Sequence, residues 1–141
     1  MADAVALDKR NDTIRGMFAR IAPWYDFLNH LLSLNVDRHW RRKTTRLVPP
    51  GPPSAGPILD LCTGTGDLAL AYDRAAGGAV PIGGADFCRP MLDRADAKAA
   101  RRGAAGRVRF VEADAQNLPF PADEFQLVTV AFGLRNVADT D

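Results

Sequence analysis

No stretch of eighteen apolar residues occurs in this 141-residue sequence, so none of it is expected to span a bilayer. The opening MADAVALDKRND has neither the basic start nor the apolar core of a secretory signal. A surplus of one charge is also missing. Eighteen Lys and Arg stand against 17 Asp and Glu, so no global field draws the chain to nucleic acid or to an anionic membrane. Cysteine is scarce: Cys62 and Cys88 form no CxxC and no metal-ligand spacing. They read as two buried, reduced thiols of a cytoplasmic protein, not as a disulfide, and no metal site is expected. The remaining composition, 47% hydrophobic and 25% charged, is that of an ordinary globular protein and excludes wholesale disorder. The length suits one domain with a real core.

Residues 13–48 read as helical. Ile14, Met17, Phe18 and Ile21 share one helix face. Pro23 is expected to interrupt, with a second face at Trp24, Phe27, Leu28, Leu31 and Leu32, and a basic third segment after Ser33. The stretch PPGPPSAGP, residues 49–57, reads as a stiff, exposed linker. From Ile58 the pattern alternates. A strand at 58–62 precedes a helix at 67–76 that stops on Gly77-Gly78. A weak second strand is predicted over 79–86, because Pro81 and Gly83-Gly84 disfavour it. A helix from Pro90 closed by Gly103, a strand at 108–113 and a fourth strand at 125–132 complete the series. Such alternation implies an α/β fold with βαβ crossovers and a mainly parallel sheet.

The chemistry concentrates in LDLCTGTGDLA, residues 59–69. Gly64-x-Gly66-x-x-Ala69 lies where a strand turns into a helix, the context that gives a glycine fingerprint meaning. Asp86 closes the second strand, where a carboxylate can accept from both ribose hydroxyls of a nucleoside cofactor. A helix-capping role before Pro90 is its competing reading. Asp114, past the third strand, suits an adenine amino group or a solvated loop. The three lie at successive strand ends, the edge where open α/β sheets bind ligands. Asp60 and Asp67 flank the turn, and each would repel a pyrophosphate by about 1 kcal/mol. A cationic, phosphate-free cofactor, S-adenosyl-L-methionine, fits better, which favours a methyltransferase over a nicotinamide enzyme.

Asp60-x-x-x-Gly64-Thr65-Gly66 resembles motif I of the class I methyltransferases, a Rossmann-like fold. YDFLNHLLSLNVDRHW (25–40), NLPFPADEF (117–125) and AFGLRNVAD (131–139) resemble the signatures of the quinone-biosynthesis C-methyltransferases, which act on demethylmenaquinol or on a polyprenyl benzoquinol. The resemblance runs from about Ile14 to the last residue. It implies that Thr65, Asp86, Asp114 and Ala115, with Asp60, Gly64 and Gly66 of the turn, contact S-adenosyl-L-methionine. By the same resemblance Ala131 approaches its methionine part, and Arg135 and Asn136 face the quinol ring. Tyr25 and the helices of 1–48 form a lid, joined by the 49–57 linker to a core at 58–141. The implied reaction is methyl transfer to a ring carbon of a polyprenyl quinol, demethylmenaquinol first and the benzoquinol second, without a metal. The implied setting is cytoplasmic, with peripheral contact at the inner face of the membrane, no nucleic-acid partner and a homodimer for the full-length form.

Family members continue for roughly a hundred residues beyond the fourth strand to reach usual domain size, so the chain reads as a fragment without the C-terminal part of its sheet. A different class of function comes from Arg38, His39, Arg41, Arg42, Lys43 and Arg46, which suggest a basic membrane-surface or nucleic-acid binder. Helical spacing spreads these bases around Trp40, as on a solvated helix. Arg135 equally suits a surface salt bridge, and Tyr25 either a pocket or plain exposure.

Overall fold

The computed structural model describes residues 2–32 and 36–131, with side chains over 12–28 and 36–131. Four strands form one parallel sheet: β1 (Ile58–Leu61), β2 (Ile82–Asp86), β3 (Val108–Glu112) and β4 (Leu127–Val130), in the order β3-β2-β1-β4. Two long helices, α1 (Ala2–Leu32) and α2 (Val36–Leu47), precede the sheet. Helices α3 (Asp67–Ala75) and α4 (Arg89–Arg101) make the β1–β2 and β2–β3 crossovers. After β3 the chain returns past β1 to place β4. The strand order therefore reverses at β1, and the crevice at the carboxyl ends of β1 and β4 is the place such a sheet offers a ligand.

Burial explains the strands. Ile58, Leu59 and Asp60 are all buried, as are Ile82, Gly84, Ala85 and Asp86, the continuous pattern of strands covered on both faces. Leu68, Ala69, Leu70 and Tyr72 of α3 pack with Ile58, Val80, Ile82, Ala99 and Val108 in the main core. Tyr72 is fully enclosed, yet its hydroxyl reaches the carbonyl of Val48 at 3.1 Å.

The second strand is better than its composition suggests. Residues Ile82 to Asp86 pair with β1 on one side and β3 on the other. Here glycine answers to packing: a Cβ on Gly84 would stand 2.5 Å from the Phe110 ring, and one on Gly66 2.6 Å from the same ring. Phe110 therefore fills the space left by two missing side chains, one in β2 and one in the turn before α3. No ligand is needed to explain Gly66, which stands at φ 81 just before α3.

The linker is not free either. The Gln126 side chain accepts from Gly51 N at 2.7 Å and donates to the carbonyls of Pro52 and Gly56, so 51–56 is tied to the entry of β4 and carries one 3-10 turn at Pro53–Ala55.

Pro23 does not interrupt α1, which begins earlier than the periodicity suggests and runs unbroken to Leu32. The ring is exposed while Ala22 beside it is buried against Cys88 and Met91, with Phe18, Ala19 and Tyr25 packed around them. Phe18 meets Tyr25 and Phe87 edge-on at 6.4 and 6.5 Å, and Arg15 lies over the Phe87 ring at 5.8 Å. This docking onto the β2–α4 junction offsets the hydrogen bond that proline cannot donate.

Candidate functional site

Local devices place the carboxylates and the turn of the candidate site. Strand β1 delivers Asp60 into the interior, where it is 2% exposed. Its two oxygens accept from Thr63 Oγ1 at 2.7 Å and Thr129 Oγ1 at 2.8 Å. Burial is the main influence on this carboxyl and pushes its pKa from 3.8 up to about 6, against the pull of the two hydroxyls. The folded chain thus holds this proton more tightly than the unfolded chain. The stability lost by ionising Asp60 is absent below pH ~4, grows between ~4 and ~6, and is complete above. Asp60→Asn, which keeps the size and removes the charge, is expected to be more stable than the parent at pH 7.5 by up to about 3 kcal/mol. Below pH ~4 the two are expected to match. Urea midpoints at the two pH values check this.

Past β1 the chain turns through Cys62, Thr63, Gly64, Thr65 and Gly66 into α3. Cys62 is held at φ 52 and is only half-buried, whereas Cys88 is buried; both are free thiols. Burial, reinforced by Asp86, Asp60 and Asp114, pushes the Cys62 thiol up to about 11, so it stays protonated. Asp86 closes β2 and clamps this turn. One oxygen accepts from Gly64 N at 2.8 Å and the other from Cys88 N at 2.9 Å. The sequence left Asp86 between a ligand role and a cap. The bond to Cys88 N shows the local anchoring, and the bond to Gly64 N ties the same carboxylate to the glycine turn. Burial raises its pKa, opposed by those backbone N–H groups.

A cleft of about 480 Å³ opens at this edge. Its floor is Asp60, Cys62, Thr63, Gly64, Thr65, Asp67 and Leu68; Ala131 closes the β4 side, and Tyr25, Val36, Asp37, Trp40 and Arg41 overhang it from α1 and α2. Tyr25, Asp60, Gly64, Thr65 and Ala131 are therefore brought together. Asp86 holds the turn without lining the cleft, and Gly66 lies beneath it. Asp114 is exposed beyond β3, where its side chain accepts from Gln116 N at 2.9 Å, and Ala115 is half-buried beside it. Arg135 and Asn136 lie outside the described residues.

Two readings change. Asp67 was expected to offer its charge to a cation. It is already compensated, with Lys98 Nζ at 2.9 Å and Arg41 at 3.8 Å, so the case for a cationic cofactor rests on Asp60 and Asp86. Thr65 also has prior commitments. Its hydroxyl donates to Asp26 at 2.6 Å and accepts from Lys98 Nζ at 2.8 Å, while Lys98 also pairs with Asp26 at 2.6 Å. Lys98, 7% exposed, fastens α1, the glycine turn and α3 at one point. Sequence reasoning missed it. The available signal was a lysine on the stripe of Met91, Leu92, Ala95 and Ala99, a place where an ammonium is found only with partners.

The donor set fits a sulfonium nucleoside: a buried carboxylate at the end of β2 and a second at the end of β1, around a glycine turn. A profile of the ubiE/COQ5 methyltransferase family matches residues 6–141. The chain belongs to this family. It is 54% identical over 123 residues to a demethylmenaquinone methyltransferase of Thermus thermophilus, covering 87% of this chain and 54% of that protein. It is 44% identical over 133 residues to the ubiquinone/menaquinone biosynthesis C-methyltransferase UbiE of Geobacter sulfurreducens, covering 94% of this chain and 51% of that one. The chain thus spans about half the length of these relatives. Among solved structures, a SAM-dependent methyltransferase from Geobacter sulfurreducens in complex with S-adenosyl-L-homocysteine superposes with a TM-score of 0.55 at 21% identity, over 67% of this chain and 36% of that one. That likeness supports the fold alone, a parallel α/β sheet.

Proposed function

We propose that this chain supplies the cofactor-binding part of a methyltransferase that moves a methyl group from S-adenosyl-L-methionine to a ring carbon of a polyprenyl quinol, with demethylmenaquinol as the foremost substrate. One observation supports this most: two buried carboxylates, Asp60 and Asp86, bracket the glycine turn at the carboxyl edge of β1 and β2, in a chain of this family. The higher identity to the relative named for demethylmenaquinone favours the menaquinone precursor over the benzoquinol.

S-adenosyl-L-methionine supplies an electrophilic methyl carbon on a sulfonium. The chain's own residues do the rest by positioning and electrostatics. Asp86 keeps the turn in place through Gly64 N and would accept from the ribose hydroxyls when the cofactor is bound. Asp60 would offer negative charge to the cationic end, and the small Ala131 would leave room for the methionine chain. Tyr25 and Trp40 wall the cleft and exclude water, which makes residues 1–48 a lid tied by 49–57 to the core. Arg135 and Asn136 are assigned to the quinol, where a guanidinium would steady the ionised ring oxygen whose electron density the adjacent carbon uses to attack; that carbon's proton is then lost as the ring rearomatises.

A lipid-borne substrate brings the cleft to a bilayer. Trp24 and Phe27, 65% and 61% exposed on α1, are suited to peripheral contact on its cytoplasmic face. No helix among the described residues is long and apolar enough to cross a membrane. Product analysis tests the reading. Incubation with labelled methyl donor and each quinol precursor is expected to label the demethylmenaquinol ring. Labelling of the benzoquinol alone would move the assignment to ubiquinone synthesis, and labelling of neither by a C-terminally extended form would refute it.

A further inference from the structure

A second concavity lies on the other side of α2. Arg38, Arg42 and Thr45 follow one another at i, i+4 and i+7 along that helix, and with Arg74 at the end of α3 and Arg102 at the end of α4 they line a groove of about 440 Å³. Arg41 and Asp67 form a wall common to this groove and the cofactor cleft. Of the five arginines, Arg41 alone has carboxylate partners among the described residues, Asp37 at 2.8 Å and Asp67 at 3.8 Å. Asp67 is the one acid lining the groove, and Lys98 already holds it. Four guanidiniums from three helices therefore line the groove without a carboxylate partner among the described residues.

Helix ends account for part of this. Arg74 and Arg102 stand near the carbonyl ends of α3 and α4, where cations are favourable. Arg38 is in the first turn of α2, where the helix dipole opposes a cation, and Arg42 is one turn further on. An anion in the groove would offset the unfavourable placement of Arg38. We propose that the groove binds a phosphate-bearing polyanion of the diphosphate class, gripped by the planar forks of Arg38, Arg42, Arg74 and Arg102, which match phosphate oxygens in pairs.

Shape favours a discrete group over an extended surface. At 100° per residue, Val36, Trp40 and Leu47 fall on the opposite side of α2 from Arg38 and Arg42. The groove therefore presents neither an apolar wedge for a bilayer nor rings on which bases stack. The phosphate can belong to a free diphosphate or to a lipid headgroup that enters the groove, and the chemistry of capture is the same.

Inorganic pyrophosphate titrated calorimetrically into the chain is expected to bind, and to bind at least ~10-fold more weakly when salt is raised from 0.05 to about 0.2 M, because the contacts are ionic. Arg38→Gln/Arg42→Gln is expected to reduce affinity by about 10-fold or more. Arg94→Gln/Arg109→Gln, exposed arginines outside the groove, are expected to leave it unchanged. Phosphatidylcholine vesicles with and without cardiolipin, whose headgroup carries two phosphates, identify the source. Capture by the anionic vesicles that pyrophosphate reverses marks a lipid headgroup, and pyrophosphate binding without capture marks a free ligand. Binding of neither probe, binding equal in both variant pairs, or retention of RNA without pyrophosphate binding would overturn the proposal.

Discussion

Alanine in place of Asp86 is expected to weaken S-adenosyl-L-methionine binding by about 100-fold. The ribose hydroxyls would lose their acceptor and with it two charge-assisted bonds, together worth about 3 kcal/mol. The same change orphans Gly64 N and Cys88 N, which now donate to it at 2.8 and 2.9 Å, so the turn itself loosens. Asp86→Asn separates the two effects. It keeps the side-chain volume and one acceptor oxygen, and an intermediate loss is expected. Isothermal titration with the methyl donor and with S-adenosyl-L-homocysteine measures both. Affinity unchanged by the alanine would mean that this carboxylate is a loop anchor alone.

The second large effect belongs to Lys98. Replacing it by methionine leaves Asp26 and Asp67 facing each other across the Thr65 hydroxyl without their shared cation. Removing one partner from a buried ion pair costs about 3–5 kcal/mol. The lower end is expected here, since Asp26 is 29% exposed and water screens it in part. Adding Asp26→Asn to Lys98→Met should restore some of the loss, because one uncompensated charge disappears. Urea unfolding reads the stability, and amide hydrogen exchange over 18–28 reads the release of α1. A Lys98→Met chain as stable as the parent, with unaltered exchange, would show that the apolar cluster of Ala22, Cys88 and Met91 holds α1 without help.

The ion chain changes how the cleft is understood. Asp37, Arg41, Asp67, Lys98 and Asp26 run in sequence from α2 through α3 and α4 to α1. The helices that overhang the cofactor cleft are thus fastened by charges beside it, and raised salt should loosen them before it touches the core around Tyr72. The arginine groove shares Arg41 with this chain, which puts any bound phosphate one side chain from the glycine turn.

Local pattern was enough for the alternation of strands and helices, for the turn at Gly64 to Gly66 and for the placing of Asp86 at a strand end. Each of these is written in a few consecutive residues, through period, punctuation and the residue types that a tight turn demands. The family could be read for the same reason, because its signatures are short segments. What pattern could not supply was anything carried by contacts distant in the chain. Pro23 continues its helix because Ala22 and Phe18 pack on residues some seventy positions away. Gly83-Gly84 makes a sound strand because the Phe110 ring covers Gly84. Asp67 looks like a free acid until Lys98, 31 residues on, is seen beside it. Periodicity assigns a face to each side chain, whereas charge compensation and ring packing depend on which faces meet, and folding alone settles that.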